Sequence, residues 1–203
     1  MRHVTDPDPD ILLQATGLTK TFGDFTAVDS IDFAVERGEA FGFLGPNGAG
    51  KSSTMKMVGC VSPASGGVLR VFGQDPATHG PQIRARLGVV PQKDTLDEEL
   101  TVQENLWIYG RYFGLSRSEV RSRATVLLDF AQLTDRAPSK VEPLPGGMKR
   151  RLTIARSLLS NPESLTLDQP PTAPHPQARP VLCGGLFRPH PPGLSLVLAN
   201  PHT

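Results

Sequence analysis

Eight residues limit this chain more than any others: Gly45-Pro46-Asn47-Gly48-Ala49-Gly50-Lys51-Ser52. Glycines at this spacing let successive backbone N–H groups curl around an anion without Cβ clashes. The run follows residues 40–44 (AFGFL), a continuous apolar stretch that predicts a strand covered on both faces. It precedes residues 51–60, which predict a helix with Met55, Met57 and Val58 among its apolar members. A strand, a glycine loop and a helix N-terminus in that order make a phosphate cradle. Lys51 offers a mobile charge to the β- and γ-phosphates, and Ser52 offers a hydroxyl to Mg2+. The loop therefore predicts ATP binding.

Strands and helices alternate around it. Residues 11–15 predict a short strand before Gly17, and 27–35 alternate apolar and polar positions as a half-buried strand does. Residues 68–72, closed by Gly73, and 87–90, ending at Pro91-Gln92, predict two more strands. Two capping boxes follow, Thr101-Val-Gln-Glu104 and Ser116-Arg-Ser-Glu119. They open apolar-rich segments reaching Phe113 and about Leu133, and a third helix is predicted over 146–159. Residues 164–167 predict a strand ending in Asp168, and 193–200 (GLSLVLAN) another, with Pro189, Pro191 and Pro192 barring a helix before it. This order predicts an α/β fold with a largely parallel sheet and an inserted helical block between Gln92 and Pro162.

Composition narrows the partners. A net charge of +1, from 21 basic and 20 acidic residues, gives no electrostatic reason to expect nucleic acid. Two cysteines, Cys60 and Cys183, are too few for a disulfide framework or a zinc site. No stretch approaches the roughly 18 apolar residues of a membrane span, and residues 1–10 read as a disordered, non-secretory N-terminus. A membrane role then requires a separate membrane partner. Of 20 prolines, nine fall between Pro170 and Pro201, which sets that stretch apart.

With the loop placed, the remaining landmarks resemble the nucleotide-binding domain of ATP-binding cassette (ABC) transporters, from about Leu12 to Arg179. Thr19-Lys-Thr-Phe-Gly23 resembles the segment whose aromatic residue, here Phe22, stacks on adenine. Val90-Pro91-Gln92 resembles the Q-loop, whose glutamine approaches the metal and faces the membrane partner. Leu144-Pro145-Gly146-Gly147-Met148-Lys149-Arg150-Arg151 resembles the signature motif, and Leu165-Thr-Leu-Asp168 resembles Walker B, with Asp168 holding Mg2+. Pro176-Gln-Ala-Arg179 resembles the end of the D-loop. The 92–106 segment and the Gly-Gly-Met-Lys-Arg-Arg form of the signature are similar to exporters of drugs and lipo-oligosaccharides, the daunorubicin-resistance and nodulation-factor types. The resemblance implies an ABC-type P-loop NTPase with an N-terminal antiparallel β part. It implies a core of 11–92 and 162–203, and a helical subdomain of 93–161. The nucleotide would lie on Phe22 and on Gly45, Pro46, Asn47, Gly48, Ala49, Gly50, Lys51, Ser52 and Ser53. Mg2+ would lie on Ser52, Gln92 and Asp168. Implied partners are a membrane-spanning permease and a second copy, paired head to tail around ATP, on the cytoplasmic face of the cell membrane.

The sequence departs from this pattern in one direction. Pro145 stands where the signature serine donates to the γ-phosphate, and proline has neither hydroxyl nor N–H. It can still occupy the start of a helix. Gln169 stands where a glutamate polarises the attacking water, and an amide is a poor proton acceptor. Ala173-Pro174-His175 replaces the usual Gly-Leu-Asp, Pro171 is a further replacement, and counting without gaps from Arg179 puts Pro201 at the switch histidine. The stretch 170–203 reads as degenerate, and the chain ends at Thr203 where the last strand is expected to end. The expected outcome is ATP binding with impaired hydrolysis, in a decayed transporter ATPase or a specialised inactive subunit. The spread of the changes favours decay. A kinase has no use for residues 144–151, and a nucleic-acid P-loop protein is disfavoured by the lack of a strongly basic surface, a second fused cassette or a long charged coil.

Overall fold

The computed structural model describes residues 10–168 and 194–201, the last two through their backbone. Expectations for 1–9 and for Gln169, Pro171, Pro174, His175, Arg179 and Cys183 lie outside the described residues. In chain order the elements are β1 (Ile11–Phe22), β2 (Phe25–Glu36), β3 (Ala40–Gly45), α1 (Lys51–Val58), β4 (Gly66–Val71), α2 (Gly80–Arg86) and β5 (Leu87–Val90). There follow α3 (Val102–Tyr112), α4 (Arg117–Phe130), a 3-10 turn (Thr134–Arg136), α5 (Gly146–Leu158), β6 (Ser164–Asp168) and β7 (Ser195–Pro201).

Two sheets result. The first is antiparallel, in the order β2-β1-β4; the second is parallel, in the order β3-β7-β6-β5. The parallel sheet, the antiparallel N-terminal part and the helical insertion agree with the expected class. Both capping boxes form: Thr101 and Ser116 each accept from the N–H three residues on, and Glu104 and Glu119 reach back.

Several details differ from expectation. The first strand does not stop before Gly17 but continues to Phe22, because Gly17, at φ +58°, is absorbed in a register shift between Ala15 and Leu18. Its N–H donates to Asp32 Oδ1 at 2.5 Å. The strand before the glycine loop is not covered on both faces. Phe41 and Phe43 face the core and meet Phe33 at centroid distances of 5.8 and 5.0 Å, whereas Leu44 is 64% exposed. The alternation follows from position, since β3 stands at one end of the described sheet. The first helix ends at Val58 rather than at Cys60, which takes φ +57°. Likewise α4 stops at Phe130, three residues before the expected Leu133, with Gln132 at φ +56°. Helix α2 has no counterpart in the sequence reading: Gly80-Pro81 looks like a turn, but Pro81 opens the helix, where its missing N–H costs nothing.

Three groups of buried side chains hold these layers. One joins the antiparallel sheet to α1 and the parallel sheet, through Leu12, Leu18, Val35, Met57 and Val197. A second lies among α3, α4 and α5, with Val102, Leu106, Leu128, Leu152 and Leu159. A third packs Ile154 and Leu158 of α5 on Val90, Leu165, Leu167 and Leu196 of the parallel strands. Helix α5 thus serves two cores.

Candidate nucleotide site

Parallel strands place their carboxyl ends on one edge, where open α/β sheets bind ligands. Here that edge carries Gly45 at the end of β3 and Asp168 at the end of β6; Gln92 lies two residues beyond β5. The backbone of Pro201 pairs opposite Gly45 on the same edge.

The loop between β3 and α1 is held by backbone geometry. Gly50 caps α1 in the left-handed region, at φ 78°. A Cβ there would stand 2.2 Å from the Ala27 carbonyl oxygen and 2.9 Å from Val28 Cγ2. Only glycine lets the loop approach β2 this closely. Helix α1 has no side-chain cap and no acidic residue in its first turn, so its N–H groups face the loop. Lys51 is 8% exposed and bends back over the loop, its Nζ donating to Gly45 O at 2.6 Å and Pro46 O at 2.7 Å. Ser52 Oγ donates to Asp168 Oδ1 at 3.0 Å, from 116 residues away in sequence.

Lys51, Ser52 and Asp168 are therefore together. A hydroxyl beside a carboxylate is a hard-oxygen pair of the kind Mg2+ takes, next to a loop shaped for phosphates. Among the described residues no hydrogen bond links this group to Phe22, Gln92 or residues 144–148. Phe22 is 53% exposed at the end of β1, with Lys20 Nζ 4.9 Å from its ring centroid. Gln92 is exposed. Leu144 is buried in the helical cluster. Pro145 is the N-cap of α5 and offers no side-chain cap; its carbonyl accepts from Met148 N at 2.8 Å and Lys149 N at 3.1 Å. Proline fits this position because no N–H is required of it there.

The sequence reading assigned no role to Arg150. It is 8% exposed, on the second turn of α5. Its Nη1 donates to Pro91 O, next to Gln92, and stands 3.7 Å from Asp94 Oδ1; its Nη2 donates to Asp168 O at 3.3 Å. Burial pushes the guanidinium pKa down, and the Asp94 carboxylate opposes that shift. Asp94 also accepts from Thr153 Oγ1 at 3.0 Å. On the same helix, Arg156 Nη1 donates to Thr95 O at 2.8 Å, and Lys149 Nζ meets Glu98 Oε1 at 2.6 Å. The segment after Gln92 is thus strapped to α5. A signal was present: Arg150, Ile154 and Leu158 recur at helical spacing, so the arginine heads the stripe that faces the sheet.

The profile of the ABC transporter family matches residues 28–172. The chain belongs to the ABC transporter family. Among this ABC chain's relatives is a Nod factor export ATP-binding protein I of Ralstonia nicotianae, 46% identical over 90% of this chain and 58% of the relative. The protein of the same name from Cupriavidus metallidurans is 48% identical over 84% of this chain and 56% of its own length. The ABC chain therefore spans somewhat over half the length of these curated relatives. A solved ATP-binding subunit of an ABC transporter superposes with a TM-score of 0.83, at 27% identity over 94% of this chain and 79% of the other. A dimeric ATP-binding cassette in a post-hydrolysis state, bound to ADP and Pi, superposes with a TM-score of 0.81 at 25% identity, over 92% and 87%.

Proposed function

We propose that this chain is the ATP-binding subunit of an ABC exporter, linking ATP binding to transport through a separate membrane-spanning permease. The observation that carries the proposal is the meeting of Lys51, Ser52 and Asp168 at the carboxyl edge of a parallel sheet. In this reading the amides of residues 45–53 bind the phosphates, Lys51 leaves its two carbonyls for the β- and γ-phosphates, and Phe22 supports adenine. Ser52, Gln92 and Asp168 would hold Mg2+, which would neutralise charge developing on the transferred phosphoryl oxygens. The relatives' names support export. The dimeric cassette supports pairing of two copies, and the reading sets that pair head to tail, with residues 144–148 of one copy facing the loop of the other. The cluster that α3, α4 and α5 share supports a helical subdomain at 93–161, set into a core of 11–92 and 162–203. Among the described residues no helix is long and apolar enough to cross a membrane. In this reading the permease provides the contact with the inner face of the cell membrane.

Isothermal titration of ATP into the purified chain tests the site. Lys51→Ala should abolish binding, and an unchanged affinity in that variant would sink the assignment.

A second reading is favoured by Pro145, which caps α5 without a hydroxyl, and by the amide of Gln169. The chain then binds ATP without turnover, as a degenerate or regulatory subunit. Phosphate release should be negligible for the chain as it stands and should return in part with Pro145→Ser and Gln169→Glu combined with a family-like tail. Turnover by the unaltered chain that Lys51→Ala abolishes would rule this second reading out.

A further inference from the structure

We infer that Arg150 is a positioning residue that ties the Mg2+ side of the nucleotide site to the 92–99 segment, so that the two respond together to Mg2+-ATP. The inference rests on the reading of Asp168 as the Mg2+ carboxylate. The Arg150 side chain meets both sides of the site. The guanidinium is buried and bridges two backbone carbonyls, Pro91 O just past the end of β5 and Asp168 O at the end of β6. Each carbonyl adjoins a residue of the site: Pro91 precedes Gln92, and Asp168 carries the carboxylate that accepts from Ser52. The same guanidinium faces Asp94, which Thr153 also holds, so the arginine is fixed from the segment side as well as from α5.

A planar, forked donor suits this task because its two nitrogens reach two acceptors at once in a fixed relation. If Asp168 shifts as it takes Mg2+, its own carbonyl moves Arg150, and Arg150 moves Pro91 and Asp94 with it. The straps from Arg156 to Thr95 and from Lys149 to Glu98 then carry the displacement along α5, whose first residues are the glycines after Pro145. Buried Arg150 would be a costly way merely to fill space, since burial already works against its charge.

Arg150→Lys keeps the charge and much of the volume but replaces the fork by a single ammonium, which serves as the test. ATP is titrated into the full chain and the variant, with MgCl2 and separately with EDTA. The expected result is a loss of about tenfold in the gain in ATP affinity that Mg2+ confers, the scale seen when a support behind a metal ligand is removed. Affinity in EDTA should stay unchanged. A variant that keeps the full Mg2+ gain, or that loses affinity equally in both buffers, overturns the inference. A second measurement needs no variant. At saturating nucleotide, hydrogen exchange in residues 92–99 of the unaltered chain should be slower with Mg2+-ATP than with ATP in EDTA; equal rates overturn the inference. Lys51→Ala separates the two levels. If it leaves binding intact, the nucleotide-site reading has failed, whereas Lys51-dependent binding with an insensitive Arg150→Lys fails only the tie.

Discussion

Gly50 has no room for a side chain: its φ of 78° and the Ala27 carbonyl oxygen 2.2 Å from an added Cβ both exclude one. Gly50→Ala should therefore destabilise the chain by about 2 kcal/mol or more, since strain and overlap act together. The clash falls on the cap of α1, so ATP affinity should drop as well. Urea denaturation and calorimetric titration check the two effects, and an alanine variant with parental stability would mean the loop does not pack on β2 as described. Much of this was legible at the residue scale. The spacing of Gly45, Gly48, Gly50, Lys51 and Ser52 is local, and a phosphate loop is made of consecutive backbone groups. Arg150 was not legible, because its meaning lies in Pro91, Asp94 and Asp168, which only the tertiary fold brings to it.

Among elements, one carboxylate gathers three chain segments. Glu163, just before β6, accepts from Arg86 Nε at 2.5 Å at the end of α2, and pairs with Arg37 at 2.7 Å in the turn between β2 and β3. The Arg86 hydrogen bonds, and secondarily those of Arg37, hold its pKa down to about 2 against the effect of burial. A carboxylate depressed in the folded state adds stability above its unfolded pKa, about 4.3, and loses it as pH falls toward 2. With 38% of the side chain exposed, solvent screening limits the gain to about 1 kcal/mol. Glu163→Gln should cost that much at pH 7, with the difference closing between about pH 4 and 2 in urea melts. A gap independent of pH would refute the ionic origin. At this scale the capping boxes of α3 and α4 were readable because each is a four-residue device. Helix α2 was not, because seven residues opening on Gly-Pro give too little periodicity to outweigh a turn signal. The burial of β3 was misjudged because a run of apolar residues does not reveal where in a sheet its strand will stand.

For the molecule as a whole, α5 is the joint. It gives Leu152 and Ala155 to the helical cluster and Ile154 and Leu158 to the parallel sheet. Ile154 is 1% exposed, so Ile154→Ala should open a cavity and cost about 3 kcal/mol, seen as a lower urea midpoint. A change under about 1 kcal/mol would show that the sheet and the helical block do not depend on this contact. The family and the fold were readable at this scale because six landmarks occur in a fixed order along the chain, and their order does not depend on knowing any contact.

Lys51 bears on the thermodynamics of capture. Its ammonium is buried and donates to two loop carbonyls, those of Gly45 and Pro46. An incoming polyphosphate then meets a finished mould and exchanges one set of oxygen acceptors for another. The loop loses little conformational freedom on that exchange, so the entropy of ordering is spent during folding rather than at the moment of binding.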